Sequence, residues 1–209
     1  MGNNIKKILV TGALGQIGSE LTTSLRDRYG AENVVATDCK EICGTKLAMA
    51  GPSCTLDVLD RGAIEKFVKN FNVDTIVHLA AILSATGEAN PDLAWKVNME
   101  GLYNVLEVAR VHGLNQVMVP SSIAVFGPGT PLEDTPNDTI LQPSTMYGLT
   151  KVAGELLGNY YVHKFGLDVR GLRYPGIISA ETPPGGGTTD YAVAIFYEAV
   201  RQGRYTCFV

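Results

Sequence analysis

The chain has 209 residues, 45% of them apolar and 18% charged, and a net charge of −4, so it can bury one large core, or one domain and the start of a second. The acidic balance, with basic residues scattered rather than clustered, excludes an electrostatic footprint for nucleic acid. No run of about 18 uncharged apolar residues offers a membrane span.

Read in chain order, short β-rich runs alternate with longer helical ones. Ile8-Leu9-Val10 predicts a buried strand, and Ile17, Leu21 and Leu25 then recur every fourth residue along a helix closed by Gly30. Val34-Val35-Ala36 is a second strand, and Cys54-Thr55-Leu56 is a strand-like run. Asp60 is placed to cap a helix carrying Ile64, Phe67 and Val68. Residues 75–79 form the next strand, 91–112 a helix, 117–119 a strand, 144–165 a helix and 169–172 another strand. Two loops, 127–143 and 182–189, are rich in Pro, Gly and Thr. An amphipathic helix follows the second, and residues 205–209 read as a strand cut short, as though the chain stops inside a fold. Strands taking turns with helices imply an α/β, Rossmann-like, doubly wound parallel sheet with helices on both faces. The expected division is a dinucleotide-binding domain over 1–180 and the start of a substrate-binding region over 181–209, whose remainder is largely missing.

The turn between the first strand and the first helix reads Thr11-Gly12-Ala13-Leu14-Gly15-Gln16-Ile17-Gly18. Gly12 permits a tight turn, Gly15 lets the backbone approach a pyrophosphate, and Gly18 lets helix pack on strand. The helix start then offers free N–H groups and a positive dipole end to the phosphates, beside Gln16 and Ile17. Asp38 closes the second strand, 20 residues beyond Gly18. A carboxylate there accepts both ribose hydroxyls and repels a 2′-phosphate, which favours NAD over NADP. Asp57 and Val58 are candidates for the adenine edge.

Tyr147 and Lys151 stand four apart at the start of a long predicted helix, on one face and within reach of the same ligand. A free tyrosine has a pKa of about 10, so using it as a base at neutral pH costs about 4 kcal/mol. A unit charge about 4 Å away at an effective dielectric of 20 supplies on the order of 4 kcal/mol, so Lys151, aided by a positive nicotinamide ring, is the right size of perturbation. Ser121 and Ser122 follow the strand at 117–119, where a hydroxyl can hold a substrate oxygen beside Tyr147, and Ser122 is the preferred candidate. The four cysteines (39, 43, 54 and 207) lack the paired spacing of a zinc site, so no metal is expected. The N-terminus lacks a signal-peptide layout; reduced thiols and a cytoplasmic location are the expectation.

These residues together resemble the extended short-chain dehydrogenase/reductase family. The glycine turn, Asp38, Asp57, His78-Leu79-Ala80-Ala81, Val97-Asn98, Ser121-Ser122 and the Tyr147/Lys151 pair carry the resemblance. Within that family, residues 120–127, 173–179 and 183–191 are similar to the short-chain-type L-threonine 3-dehydrogenases. The resemblance implies NAD-dependent oxidation of the threonine β-hydroxyl to 2-amino-3-oxobutyrate. Tyr147 would be the base, Lys151 would lower its pKa and bind the nicotinamide ribose, and Ser122 would hold the reacting oxygen. Leu79, Ala80, Ala81, Asn98 and Ser121 would contact the cofactor, and Tyr174, Gly176 and Ile177 would flank its nicotinamide end. Ser84, Gly186 and Thr188 would grip the amino acid. It further implies a homodimer and a smaller C-terminal portion closing over the substrate, which a chain stopping at Val209 lacks. Two other readings use the same residues: an NDP-sugar epimerase or dehydratase, and a cofactor-binding fragment without catalysis. The compact Pro183-Pro184-Gly185-Gly186-Gly187-Thr188-Thr189 run favours a small zwitterion over a nucleotide.

Overall fold

A computed structural model describes residues 5–179, 185 and 190–207 of the chain. In chain order it builds β1 (Ile8–Thr11), α1 (Gln16–Tyr29), β2 (Val34–Asp38), α2 (Lys46–Met49), β3 (Ser53–Thr55), α3 (Arg61–Phe71) and β4 (Thr75–His78). There follow α4 (Ser84–Ala89), α5 (Pro91–Trp95), a π turn (Lys96–Glu100), α6 (Gly101–Val111), β5 (Gln116–Met118), β6 (Ser121–Ser122), α7 (Met146–Phe165), β7 (Val169–Arg170), β8 (Arg173–Tyr174) and α8 (Tyr191–Gln202).

The sheet has six strands in the order β3-β2-β1-β4-β5-β7, and every pairing is parallel. The order reverses between β1 and β4, and in such sheets the crevice beyond the strand ends at that point is where ligands bind. Period-two alternation splits the core between the two faces. Leu9, Val35, Ile76 and Val117 pack with Ile64, Leu102 and Leu106 from α3 and α6. Ile8, Val10, Ala36 and Val77 pack on the other face with Leu21 and Leu25 of α1. Burying each such side chain stabilises the fold by roughly 1.5–3 kcal/mol.

The expected caps form: Asp60 Oδ1 accepts from the Ala63 amide at 2.9 Å, and Gly30, at φ 90°, ends α1. Three expectations change. The helix at 91–112 carries a π turn, which coincides with Asn98 and its hydrogen bonds to neighbouring segments. The strand at 169–172 shortens to β7, with residues 171–172 outside any ladder, although the Val119 and Ser121 amides still donate to the Arg170 and Leu172 carbonyls, each at 2.8 Å; there Gly171 passes close against the Val119 carbonyl. Beyond it β6 and β8 resume the pairing in the same register, with Ser121 opposite Arg173 and Ser122 opposite Tyr174. Residues 205–207 are not a strand; a strand exists only through a pairing ladder, and none among the described residues runs there. Residues 208–209 lie outside the described residues.

Candidate active site

The glycine turn leaves β1 with Gly12 at φ 69°. A side-chain carbon at that position would stand 2.7 Å from the Ala80 amide nitrogen and 2.8 Å from the Leu79 carbonyl carbon. Only glycine satisfies both the left-handed backbone and this close approach. A carbon at Gly18 would meet Ala13 Cα at 2.8 Å, so its absence lets α1 lie against the turn. Gly15 is the N-cap of α1, and no side chain caps the first turn. The first-turn amides are therefore left for an anion, at the positive end of the helix dipole.

Asp38 is 8% exposed at the end of β2. One carboxylate oxygen accepts from the Leu14 amide and the other from the Lys40 amide, both at 3.0 Å. It thus braces the turn and still has lone pairs for ribose hydroxyls. Asp57 is exposed and accepts from the Leu59 amide at 2.9 Å. Val58 is buried, with its side chain against Gly101, so only its backbone is left to face a ligand. None of these three residues walls the groove described next.

A groove of about 450 Å³ runs from the turn to the start of α7. It gathers Gly12, Gly15, Gln16, Ile17, Gly18, Leu79, Ala81, Ser84, Ser121, Ser122, Tyr147, Lys151, Tyr174, Gly176 and Ile177. Gln16 Nε2 donates to the Ile177 carbonyl at 3.2 Å, tying the 175–179 segment to the turn. Ala80 and Asn98 face instead a second cavity of about 670 Å³, which shares His78, Ala81 and Lys151 with the groove. The Asn98 amide is taken up by protein: Oδ1 accepts from the Ile82 amide at 2.8 Å, and Nδ2 donates to the Ile82 carbonyl at 3.0 Å and to Thr150 Oγ1 at 3.1 Å. Its place is therefore to join the 80–83 loop to α7. The Ser121 hydroxyl is likewise engaged, donating to Glu155 Oε1 at 2.5 Å.

Three side chains converge at the far end of the groove. Thr145 caps α7 by accepting from the Gly148 amide at 3.0 Å. Gly148 packs against Pro143 Cβ and the Ala124 carbonyl, which presses the first turn of α7, and Tyr147 with it, onto the Ser122 segment. Ser122 Oγ accepts from the Ala124 amide at 3.1 Å, leaving its proton free to donate. Burial raises the Tyr147 phenol above its usual pKa, while the hydrogen bond with Ser122 pulls in the other direction. Lys151 Nζ donates to the Pro120 carbonyl at 2.8 Å and stands 5.4 Å from the centre of the Tyr147 ring. Burial lowers the Lys151 ammonium to about 8.

The groove thus departs from the expectation that Lys151 depresses the tyrosine, whose shift is set by burial and Ser122. The cost of taking a phenolate out of water dominates, and the ammonium is turned to a backbone carbonyl. His78, at the end of β4, lines the groove, and its Nδ1 is 2.9 Å from Thr11 Oγ1. Burial, then the charge of Lys151, lowers its pKa to about 3, so it is a neutral imidazole.

The sequence matches the NAD dependent epimerase/dehydratase family over residues 8–207. A Staphylococcus haemolyticus protein named an uncharacterized epimerase/dehydratase is 55% identical over 98% of this chain. The chain belongs to the NAD dependent epimerase/dehydratase family. Among solved structures, an L-threonine dehydrogenase from Clostridium difficile is 52% identical over 99% of the chain with a TM-score of 0.92. One from Phytophthora infestans is 54% identical over 98% of the chain with a TM-score of 0.91. The chain spans 64% of the length of each of these three relatives.

The cofactor of this epimerase/dehydratase family is NAD, and the residues present fit it. A side-chain carbon would fill the cradle at Gly12, the first turn of α1 has no side-chain cap, and Asp38 stands at the end of β2. Gly186 and Thr188 lie outside the described residues, while a side-chain carbon at Gly185 would stand 3.9 Å from Leu83 Cδ1, by the loop that leads into Ser84. Among the described residues no group of three or more His, Cys, Asp or Glu is placed to hold a metal ion. No helix among them is long and apolar enough to cross a membrane. Sequence reasoning passed over Glu155 and Arg173. The only signal was a carboxylate eight residues after Tyr147 and an arginine heading the Arg173-Tyr174-Pro175-Gly176 stretch.

Proposed function

We propose that this chain is the cofactor-binding part of an NAD-dependent L-threonine 3-dehydrogenase, which oxidises the β-hydroxyl of L-threonine to 2-amino-3-oxobutyrate. The observation that carries the reading is the identity of 52% and 54%, over nearly the whole chain, to two solved L-threonine dehydrogenases. Residues 1–180 hold the dinucleotide and residues 181–209 begin the substrate-binding portion.

NAD+, when bound, supplies the hydride acceptor, so the carbinol loses two electrons and one proton and NADH forms. The chain's own residues handle the proton and the alignment. Ser122 donates to the reacting oxygen and holds it beside the phenol. Tyr147, in its ionised form, takes the hydroxyl proton. Ionisation at neutral pH costs about 4 kcal/mol even for an exposed tyrosine, and burial adds to that cost here. The Lys151 ammonium, once drawn from the Pro120 carbonyl toward the ribose, offsets it, because a charge in a water-excluded groove acts more strongly than in solvent. Leu79, Ala80, Ala81, Ser121, Tyr174, Gly176 and Ile177 hold the cofactor, Asn98 acts through the 80–83 loop, and Ser84, Gly186 and Thr188 take the ammonium and carboxylate of threonine. In the cytoplasm two copies pair through α6 and α7, whose Tyr103, Leu156 and Tyr160 are about half or more exposed.

The test is spectrophotometric. The protein with L-threonine and NAD+ produces the NADH absorbance band, and Tyr147→Phe abolishes it. Full activity in Tyr147→Phe refutes the mechanism; turnover of a UDP-sugar with none of threonine refutes the substrate.

A further inference from the structure

Behind the groove, one carboxylate joins the two elements that carry the reacting side chains. Tyr147, Lys151 and Glu155 follow one another at intervals of four along α7, and so share one face of that helix. The β6/β8 ladder carries Ser122 and Tyr174 side by side into the groove. Their neighbours, Ser121 and Arg173, point to the opposite side of the ladder, as strand alternation requires. There both meet Glu155. Arg173 Nε donates to Oε1 at 2.9 Å and Nη2 to Oε2 at 2.8 Å, a two-pronged pair, and Ser121 Oγ donates to Oε1 at 2.5 Å.

Arg173 is fixed further by donating from Nη1 to the Asn137 carbonyl at 2.8 Å and by lying 5.4 Å over the Phe126 ring. The hydrogen bonds of Arg173 and Ser121 hold the Glu155 carboxyl below its usual pKa against burial, which pushes it up. The other cations around the same cavity are Lys151 and Arg170.

We propose that Glu155 is a positioning residue: by gripping Ser121 and Arg173 from behind, it fixes the β6/β8 ladder to α7 and so sets the distance between the Ser122 hydroxyl and the Tyr147 phenol. The proposal rests on the reading of Ser122 and Tyr147 given above. The backbone bonds of this ladder, and those of Val119 and Ser121 to the Arg170 and Leu172 carbonyls, fix the two strands to each other but not to α7. The bidentate carboxylate–guanidinium pair supplies the missing geometry. A displacement of about 1 Å in such a pair of reacting groups is worth on the order of a hundredfold in rate.

The test uses the full-length protein saturated with NAD+. Tyrosine 13Cζ resonances are titrated, with that of Tyr147 identified by its loss in Tyr147→Phe. In Glu155→Gln, and separately in Ser121→Ala, the Tyr147 midpoint moves up as the Ser122 hydrogen bond is lost and kcat falls by about tenfold or more, while in Glu155→Gln the NAD+ Kd changes less than about twofold. Direct electrostatics gives the reverse sign, because removing a nearby negative charge eases ionisation of the phenol. A midpoint that is unchanged or lowered in the folded variants overturns the proposal. If Glu155→Gln does not fold, Ser121→Ala, which removes no charge, decides alone. Absence of NADH from threonine in the unmodified protein defeats the functional reading, while the titration still judges the clamp.

Discussion

Lys151 is the residue at which stability and function oppose each other most clearly, and Lys151→Met separates them. The ammonium falls from its usual 10.5 to about 8 because burial strips its hydration. At pH 7 it is charged in both the folded and unfolded chain, so the full cost of burying the charge is present, on the order of 3 kcal/mol. Methionine keeps most of the stem but leaves the Pro120 carbonyl without its donor, which returns about 1–2 kcal/mol of that gain. The expected net effect is a stabilisation of about 1–2 kcal/mol, a rise in Tm of roughly 2–8 °C for a chain of this size. The sign in pH follows from linkage. Between about 8 and 10.5 the unfolded chain holds a proton on Lys151 that the folded one has released. Stability of the parent protein therefore climbs through that window relative to the variant, and the advantage of Met disappears above it. Denaturant unfolding of the two proteins from pH 7 to 10.5, with NAD+ affinity by calorimetry alongside, reads both quantities. A variant less stable at pH 7, or a stability difference that does not change with pH, refutes the reasoning.

Gly12→Ala places a methyl group 2.7–2.9 Å from the backbone of residues 79–80 at φ 69°. Left-handed strain of about 1–2 kcal/mol and overpacking of about 1–3 kcal/mol add, and thermal unfolding shows the loss together with failure to bind NAD+. Asp38→Asn keeps an acceptor for the Leu14 amide but drops the charge that repels a 2′-phosphate, so the ratio of NADP+ to NAD+ affinity rises by about tenfold, as paired calorimetric titrations will show. Arg26, 4% exposed, donates to the carbonyls of Val34 at 3.3 Å and of Leu47 and Pro52 at 2.6 Å. Arg26→Met takes a donor from all three, although Pro52 and Leu47 keep the Ala36 and Ala50 amides, and denaturant unfolding should register a loss of about 1–3 kcal/mol, with weaker NAD+ binding as the segment after Asp38 loosens.

Much of the scaffold was legible because it rests on local signals. The continuous apolar run Ile8-Leu9-Val10, the fourfold spacing of Ile17, Leu21 and Leu25, and the caps at Gly30 and Asp60 each report on neighbours in the chain. Gly12 was legible for the same reason, although the near contact with Ala80 that makes it obligatory is between β1 and the loop after β4. What escaped depends on distant partners. Asn98 looks like a free polar group in sequence, and only the fold shows its amide bound to Ile82 and Thr150. The gap in pairing at residues 171–172 falls where Gly171 passes against the Val119 carbonyl of another segment. The Tyr147–Lys151 pair was found by spacing, but spacing holds no information about desolvation, which is the largest influence on the phenol.

The central claim is that a phenol and an ammonium on α7 meet the nicotinamide end of NAD seated on the Gly12 turn. A crystal structure of the full-length protein with NAD+ tests it directly. The account predicts Tyr147 Oη and Lys151 Nζ each within about 3 Å of a nicotinamide-ribose hydroxyl, with Lys151 released from the Pro120 carbonyl. A dinucleotide lodged elsewhere, or bound in the groove with both side chains facing away from its nicotinamide ribose, contradicts it.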